Sequence, residues 1–188
     1  MEMGDTQLRK YEEYAYALDY KSRAKSTTVR GRTGVIVVAL GEERLTLLEI
    51  LGIENSTFDI GERIYIGKEG RTKVQSVLGK MDYSKTSDST KNEIPKVVES
   101  IVTINEKKFV DYINNAQPLT PRVHTLELIP GIGKTYMNVI IKEREKEPFQ
   151  SYHDIRERTG LKEPIQHLTE RIVEEISGDA RMNLFVKR

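Results

Sequence analysis

The spacing of apolar residues changes near position 84, and this change limits what the chain can fold into. Before it, short apolar runs alternate with glycine-bearing turns such as residues 41–43 and 69–71. After it, apolar residues recur at the three- and four-residue spacing of amphipathic helices. The sequence therefore predicts an α+β protein in which the strands come first and the helices follow.

The first half carries short apolar runs, which cover residues 14–21, 33–40, 44–51, 63–67 and 72–81. Short strands separated by tight turns are typical of a small antiparallel β-barrel, such as the oligonucleotide-binding type. We predict such a barrel over residues 11–83. Leu45, Leu48 and Leu51 also share one helical face, so a helix over residues 45–53 is the alternative for the third run.

The second half divides into three predicted segments. Residues 84–92 are rich in serine, threonine and lysine, and they predict a polar linker. Residues 93–118 read as connecting helices, and residues 119–178 as a tandem helix-hairpin-helix domain. The predicted helix starts are Thr90 with Glu93 at capping-box spacing, Asn105 as an N-cap, and Thr120 before Pro121, which opens a short helix through residue 128.

The segment Pro130-Gly131-Ile132-Gly133 stands between two stretches with helical spacing. It resembles the helix-hairpin-helix motif of DNA- and RNA-binding proteins that lack sequence preference. Two glycines permit positive φ and leave room for a phosphate, which the free N–H groups of a helix start attract. Lys134 adds a charge and Thr135 a hydroxyl. The alternative is a plain turn between helices, and the matching apolar pattern on both sides favours the binding motif.

A second, weaker copy of the hairpin follows. Ser151 with Asp154 fits an N-cap and its acid, and residues 159–162 form the second turn before Pro164 opens a helix to residue 176. This turn has one glycine, Gly160, where the motif has two. Whether it binds phosphate or only supports the first hairpin is therefore left open.

The net charge is only +1, but basic residues cluster in the first half. Residues 20–34 hold five bases and no acid, and a second basic stretch spans residues 62–80. A basic barrel surface that tracks phosphates is the functional interpretation, and a solvated loop is the alternative. The candidate residues of this surface are Lys21, Arg23, Lys25, Arg30, Arg32, Lys68, Arg71 and Lys73. For the tyrosines at positions 11, 14, 16 and 20, packing is favoured over base stacking.

No catalytic constellation emerges from the spacing. Cysteine is absent, and the three histidines lack metal-ligand spacing and are expected at the surface, like the pairs Glu42-Glu43 and Glu174-Glu175. Gly133-Lys134-Thr135 lacks the glycine that a phosphate-binding loop needs at position 128. We therefore predict no enzyme activity, metal or cofactor. Without a signal peptide or a long apolar run, the chain is expected to be cytoplasmic and to have no membrane partner.

Most of residues 11–177 resembles an archaeal family of uncharacterised proteins in which an oligonucleotide-binding-type barrel precedes a helix-hairpin-helix unit. The matching segments are residues 13–20, 41–51, 61–68 and 126–134. The resemblance implies nucleic-acid binding, with RNA slightly favoured over DNA and a possible protein partner in translation or nucleic-acid processing. We expect the barrel and the helix-hairpin-helix part to bind one nucleic acid jointly. The alternatives are a protein-interaction adaptor and an accessory domain of a nucleic-acid-processing enzyme.

Overall fold

The computed structural model describes residues 12–188, so Tyr11 and the predicted start of the barrel lie outside the described residues. The chain separates into two compact units. The first extends to Glu93 and includes Val186–Arg188, and the second is Ile94–Phe185.

The first unit is built on one curled, open sheet of five antiparallel strands in the order β4-β1-β2-β3-β5. Irregular registers in the β1–β2 and β3–β5 pairings bend the strands, which curls the sheet into a half-barrel. The predicted α+β class and strand sequence are confirmed, and the helical alternative for the third run is wrong. The strands are β1 Tyr14–Lys25, β2 Thr33–Gly41, β3 Leu47–Gly52, β4 Arg63–Tyr65 and β5 Val74–Lys80.

The core of the half-barrel follows the two-residue period of a strand. Ala15 and Ala17 of β1 and Val35, Val37 and Ala39 of β2 belong to one buried cluster. Ile36, Val38 and Leu40, which alternate with them, are buried too, so β2 is covered on both faces and its apolar run is continuous.

The tyrosines of β1 take part in packing. Tyr14 meets Tyr65 edge-on at 5.3 Å between ring centroids, and the guanidinium of Arg63 lies 3.5 Å from the Tyr14 centroid. Tyr16 is buried, and Tyr20 packs against a phenylalanine. These three tyrosines therefore make packing contacts within the half-barrel, as we expected when we favoured packing over base stacking.

The predicted linker is partly helical. After a 3-10 turn at Tyr83–Lys85, α1 spans Asp88–Ile104, so Thr90 lies inside this helix. The hydroxyl of Ser87 accepts a hydrogen bond from the N–H of Thr90 at 3.2 Å. Because Ser87 provides the cap three residues before Thr90, the linker assignment is wrong for residues 88–92.

The second unit continues with α2 Glu106–Asn115, α3 Lys134–Lys146, α4 Tyr152–Thr159 and α5 Pro164–Ser177. The predicted apolar faces of α1 and α2 are buried, apart from Tyr112, which is half-buried, and Ile104, which is 65% exposed. Asn105 stands at the N-cap of α2 but makes no capping bond there, whereas Ser151 caps α4 as predicted.

The helix predicted from Pro121 to residue 128 is reduced to a 3-10 turn at Thr125–Leu128. The chain before it forms a tight loop in which Leu119 donates to the carbonyl of Val123 at 2.8 Å. Pro118 and His124 form an isolated bridge across the same loop. These backbone groups are used within the loop, so a helix cannot begin at Pro121.

Candidate nucleic-acid interface

The loop between the 3-10 turn and α3, together with the first residue of α3, is the candidate site, and we call these residues, 129–134, the first hairpin. Its centre is fixed by Ile132, whose side chain is 3% exposed and whose N–H donates to the carbonyl of Ile129 at 3.0 Å. Leu126 and Ile129 are also buried. The apolar side chains thus hold the loop from below while the backbone on either side of Ile132 stays at the surface.

Gly131 is required by both its conformation and its surroundings. Its φ of 85° lies in the left-handed region, which side chains with a Cβ disfavour. A Cβ at this position would also overlap with the imidazole of His167 in α5. Gly131 therefore shapes the hairpin and lets α5 pack against it.

We expect Gly131→Ala to lower the free energy of unfolding by about 2–3 kcal/mol, because left-handed strain adds to the overlap with His167. Urea denaturation followed by circular dichroism measures this loss. The double variant Gly131→Ala with His167→Ala removes the overlap and should recover part of it. If Gly131→Ala is as stable as the wild type, the conclusion that this position requires a glycine is contradicted.

Gly133 differs from Gly131 in its backbone conformation and in the space around it. It is the N-cap of α3, with φ −82° and ψ −175°, and no side chain caps the helix there. A Cβ at Gly133 would meet no atom within 4 Å. Because no strain or contact demands a glycine here, open access to the backbone is the property that it provides.

The start of α3 presents hydrogen-bond donors that have no partner among residues 12–188. Met137 makes the first bond of the helix, to the carbonyl of Gly133 at 2.9 Å, so the N–H groups before it have no partner within the helix. Lys134 and Thr135 are exposed beside them. Donors, a cation and a hydroxyl thus meet at a helix N-terminus, an arrangement that suits a phosphate.

A buried ion pair supports the hairpin from behind. Arg171 of α5 donates to the carboxylate of Glu175 at 2.9 Å and to the carbonyl of Leu128 at 3.1 Å. The same guanidinium reaches the carbonyl of Met182, and Glu175 accepts the N–H of Phe185. Arg171 therefore joins the last residue of the 3-10 turn to α5 and to the C-terminal segment.

His124 caps the 3-10 turn that leads into the hairpin. Its Nδ1 accepts the N–H of Leu126 at 3.1 Å, and the carboxylate of Glu127 accepts the N–H of His124 at 2.8 Å. Burial lowers the pKa of His124, the positive charge of Arg144 lowers it further, and Glu127 opposes the shift. A neutral imidazole is what the cap needs, because a protonated Nδ1 cannot accept a hydrogen bond.

The pKa of His124 gives a pH dependence of stability. Since the pKa is depressed in the folded state, the stabilisation is complete above the ordinary value of 6.5 and is lost as the pH falls from there towards the folded pKa. We expect wild type to lose more stability than His124→Asn between about pH 7.5 and about pH 5.5. Urea denaturation at both pH values measures the difference, and identical losses would contradict it.

The second hairpin offers fewer donors. Gly160, with φ 77°, ends α4 by donating to the carbonyl of Arg156 at 2.9 Å. Pro164, which has no N–H, begins α5, and the N-cap residue Glu163 is an exposed acid. An acid and a missing donor make this helix start unsuited to a phosphate, so a supporting role fits its geometry better.

The basic candidates of the first unit fall into two groups. Lys21, Arg23 and Lys25 lie on β1, Arg30 and Arg32 lie in the following turn, and all five are exposed. Within residues 12–188, their side chains make no hydrogen bond or ion pair. They stay available for a ligand.

The candidates after β4 are used within the protein. The guanidinium of Arg71 donates to the carbonyls of Ile66, Gly67 and Gln75. Lys73 pairs with Glu62 at 2.8 Å and lies over the ring of Phe58. Lys68 is exposed. Arg71 and Lys73 thus hold the barrel loops together.

Several charged residues that shape these sites were expected at the surface, and that expectation is wrong. Glu175 is 0% exposed, Glu42 is buried beside Arg63, and His124 is buried in its cap. The spacing of Arg171 and Glu175, four apart on one helix, was the available signal. His124 and Glu127 likewise stand at capping-box spacing.

Two further properties concern the described part of the chain. Among residues 12–188, no group of three or more His, Cys, Asp or Glu side chains is placed to hold a metal ion. The helices described here are all too short or too polar to cross a membrane.

Comparisons with known proteins place the chain among archaeal relatives. A family model described as a protein of unknown function, DUF655, matches residues 11–187. The uncharacterized protein MJ0038 of Methanocaldococcus jannaschii is 39% identical over 181 residues, which are 95% of this chain and 82% of that protein. The crystal structure of Af1531 from Archaeoglobus fulgidus superposes with a TM-score of 0.81 at 36% identity, over 94% of this chain and 100% of that one.

Proposed function

The chain belongs to the DUF655 family of proteins of unknown function, and from the geometry of the first hairpin we propose that it binds nucleic acid without sequence preference. In this proposal the hairpin works as a helix-hairpin-helix element that grips the phosphate backbone. The residues that take part are Pro130, Gly131, Ile132, Gly133, Lys134 and Thr135. The proposed activity is binding alone, without catalysis or cofactor, and its setting is the cytoplasm.

The observation that carries the proposal is the contrast between the two glycines. Gly131 is demanded by its φ and by His167, but Gly133 has an ordinary backbone conformation and open space around it. Serine or aspartate at this N-cap would stabilise α3. Glycine gives up only about a few tenths of a kcal/mol at an N-cap, and it leaves the N–H groups of the helix start open to a ligand.

The ligand chemistry follows from the donors. Backbone N–H groups and one lysine recognise an anion, and they carry no pattern that tells one base from another. The hairpin is also supported by buried residues, Ile132 below it and Arg171 behind it, so its donors are held in place before a ligand arrives. Preorganised donors lower the entropic cost of binding. RNA is proposed ahead of DNA as the ligand.

Amide chemical-shift mapping tests where the ligand binds. A labelled sample of the full chain is titrated with a short single-stranded RNA and a DNA duplex, in separate experiments. We expect the amides of Gly133, Lys134 and Thr135 to shift first and furthest, and those of Gly160 and Leu161 to stay in place. Saturation with no shift at the first hairpin would overturn the proposed site, and no shift anywhere would overturn nucleic-acid binding.

A further inference from the structure

A recess on the half-barrel has the chemistry of a nucleotide site. It has a volume of about 530 Å³. The last part of β1, the start of β2 and the segment after β3 frame it. That volume lies within the range of small-molecule sites, which is about 300–1,000 Å³. Its lining includes Tyr20, Arg23, Arg32, Asn55, Ser56 and Gln75.

The two arginines in this recess have no partner within residues 12–188. Arg63 and Arg71 of the same unit are used inside the protein, the first by Glu42 and the second by backbone carbonyls. Glu54 also lines the recess, and a carboxylate can accept hydrogen bonds from ribose hydroxyls or a base amino group. Two unpaired arginines in one recess fit a phosphate, which guanidinium groups bind in a bidentate manner.

A buried carboxylate holds the turn that carries Arg32. Glu49 of β3 accepts hydrogen bonds from the N–H and hydroxyl of Thr27, at 3.0 and 2.8 Å, and from the hydroxyl of Ser26. The N–H of Ser26 in turn donates to the carbonyl of Arg32 at 2.8 Å. Glu49 is therefore a positioning residue for this side of the recess.

Glu49 is buried, yet it remains charged. Burial by itself would raise its pKa, but the hydrogen bonds from Ser26, Thr27 and Thr28 outweigh burial and lower the pKa. An ionised Glu49 keeps all of its acceptor positions, so the turn stays fixed at neutral pH.

We propose that this recess binds one nucleotide of a flexible single strand, with its phosphate at Arg23 and Arg32 and its base beside Tyr20. Cations next to an aromatic ring are the combination by which single strands are held. A recess admits a strand that can bend into it, whereas a regular duplex presents its phosphates on the outside of a rigid helix. The inference rests on the proposed function, and it assigns single strands to the half-barrel.

The test measures fluorescence anisotropy of a labelled ten-nucleotide single-stranded RNA and of a DNA duplex across a salt series. The full chain is compared with Arg23→Gln plus Arg32→Gln. Its matched control is Lys85→Gln plus Lys187→Gln, two exposed lysines of the same unit that do not line the recess. Circular dichroism checks that each variant is folded, and Glu49→Gln probes the positioning of the turn.

We expect the arginine variant to bind the single strand about ten-fold more weakly, with a salt slope smaller by about one. Glu49→Gln should reduce affinity in the same direction, and the lysine control and duplex binding should change little. Equal losses in the arginine and lysine variants, or an unchanged single-strand affinity, would overturn the inference while leaving the hairpin proposal intact. If wild-type protein binds neither probe, both the inference about the recess and the proposed nucleic-acid binding are overturned.

Discussion

Arg171→Met is expected to lower the free energy of unfolding by about 3–5 kcal/mol, the usual cost of breaking a buried ion pair. Glu175 is 0% exposed, so removing Arg171 takes away the guanidinium that pairs with this buried carboxylate. The carbonyls of Leu128 and Met182 also lose the guanidinium donor. The side chain of methionine is of similar length, so the loss comes from charge and hydrogen bonding more than from a cavity.

Urea denaturation measures this effect, and Arg156→Met provides the control. Arg156 lies on α4 and is exposed, so its replacement should change the free energy of unfolding by less than about 0.5 kcal/mol. A loss below about 1 kcal/mol for Arg171→Met would mean that the ion pair does not hold the hairpin to α5.

Gly133→Glu is expected to weaken nucleic-acid binding by about a hundred-fold and to leave the fold intact. The backbone at Gly133 suits any residue and no atom lies within 4 Å of a new Cβ, so the glutamate fits without strain. An acid at a helix N-terminus even stabilises the helix. The same charge repels a phosphate, so stability and affinity should move in opposite directions.

Lys134→Glu and Lys162→Glu separate the hairpin from general electrostatics. Both lysines are exposed beside a hairpin glycine and carry the same charge, but the second hairpin ends in Glu163 and Pro164. Anisotropy titrations should show a large loss for Lys134→Glu and a small one for Lys162→Glu. Equal losses would show that overall charge determines binding and that the first hairpin has no special part.

The strands could be predicted because the signal is local. The valine-rich apolar run of residues 35–40, bounded by Gly34 and Gly41, predicts a buried strand whatever the rest of the chain does. The Gly-Ile-Gly pattern was recognisable for a similar reason, since positive φ and a buried isoleucine are properties of three consecutive residues.

The sequence did not reveal contacts between residues that lie far apart along the chain. His167 meets Gly131 across 36 positions (167 − 131), and Glu49 binds a turn more than 20 residues earlier in the chain. Composition suggests that acids and histidines are solvated, and only the partners found in the fold explain why Glu49, Glu175 and His124 are buried. The helix expected at Pro121 failed because its backbone groups are paired within the loop before the hairpin.

The most direct test of the central claim is the salt dependence of binding by wild-type protein to single-stranded RNA, single-stranded DNA and duplex DNA. Anisotropy titrations from about 50 to about 200 mM salt give the slope of log K against log salt, which is about −0.7 to −0.9 for each phosphate contacted. The account predicts measurable binding at low salt and a slope of about −2 or steeper. No binding at low salt, or an affinity independent of salt, would contradict it.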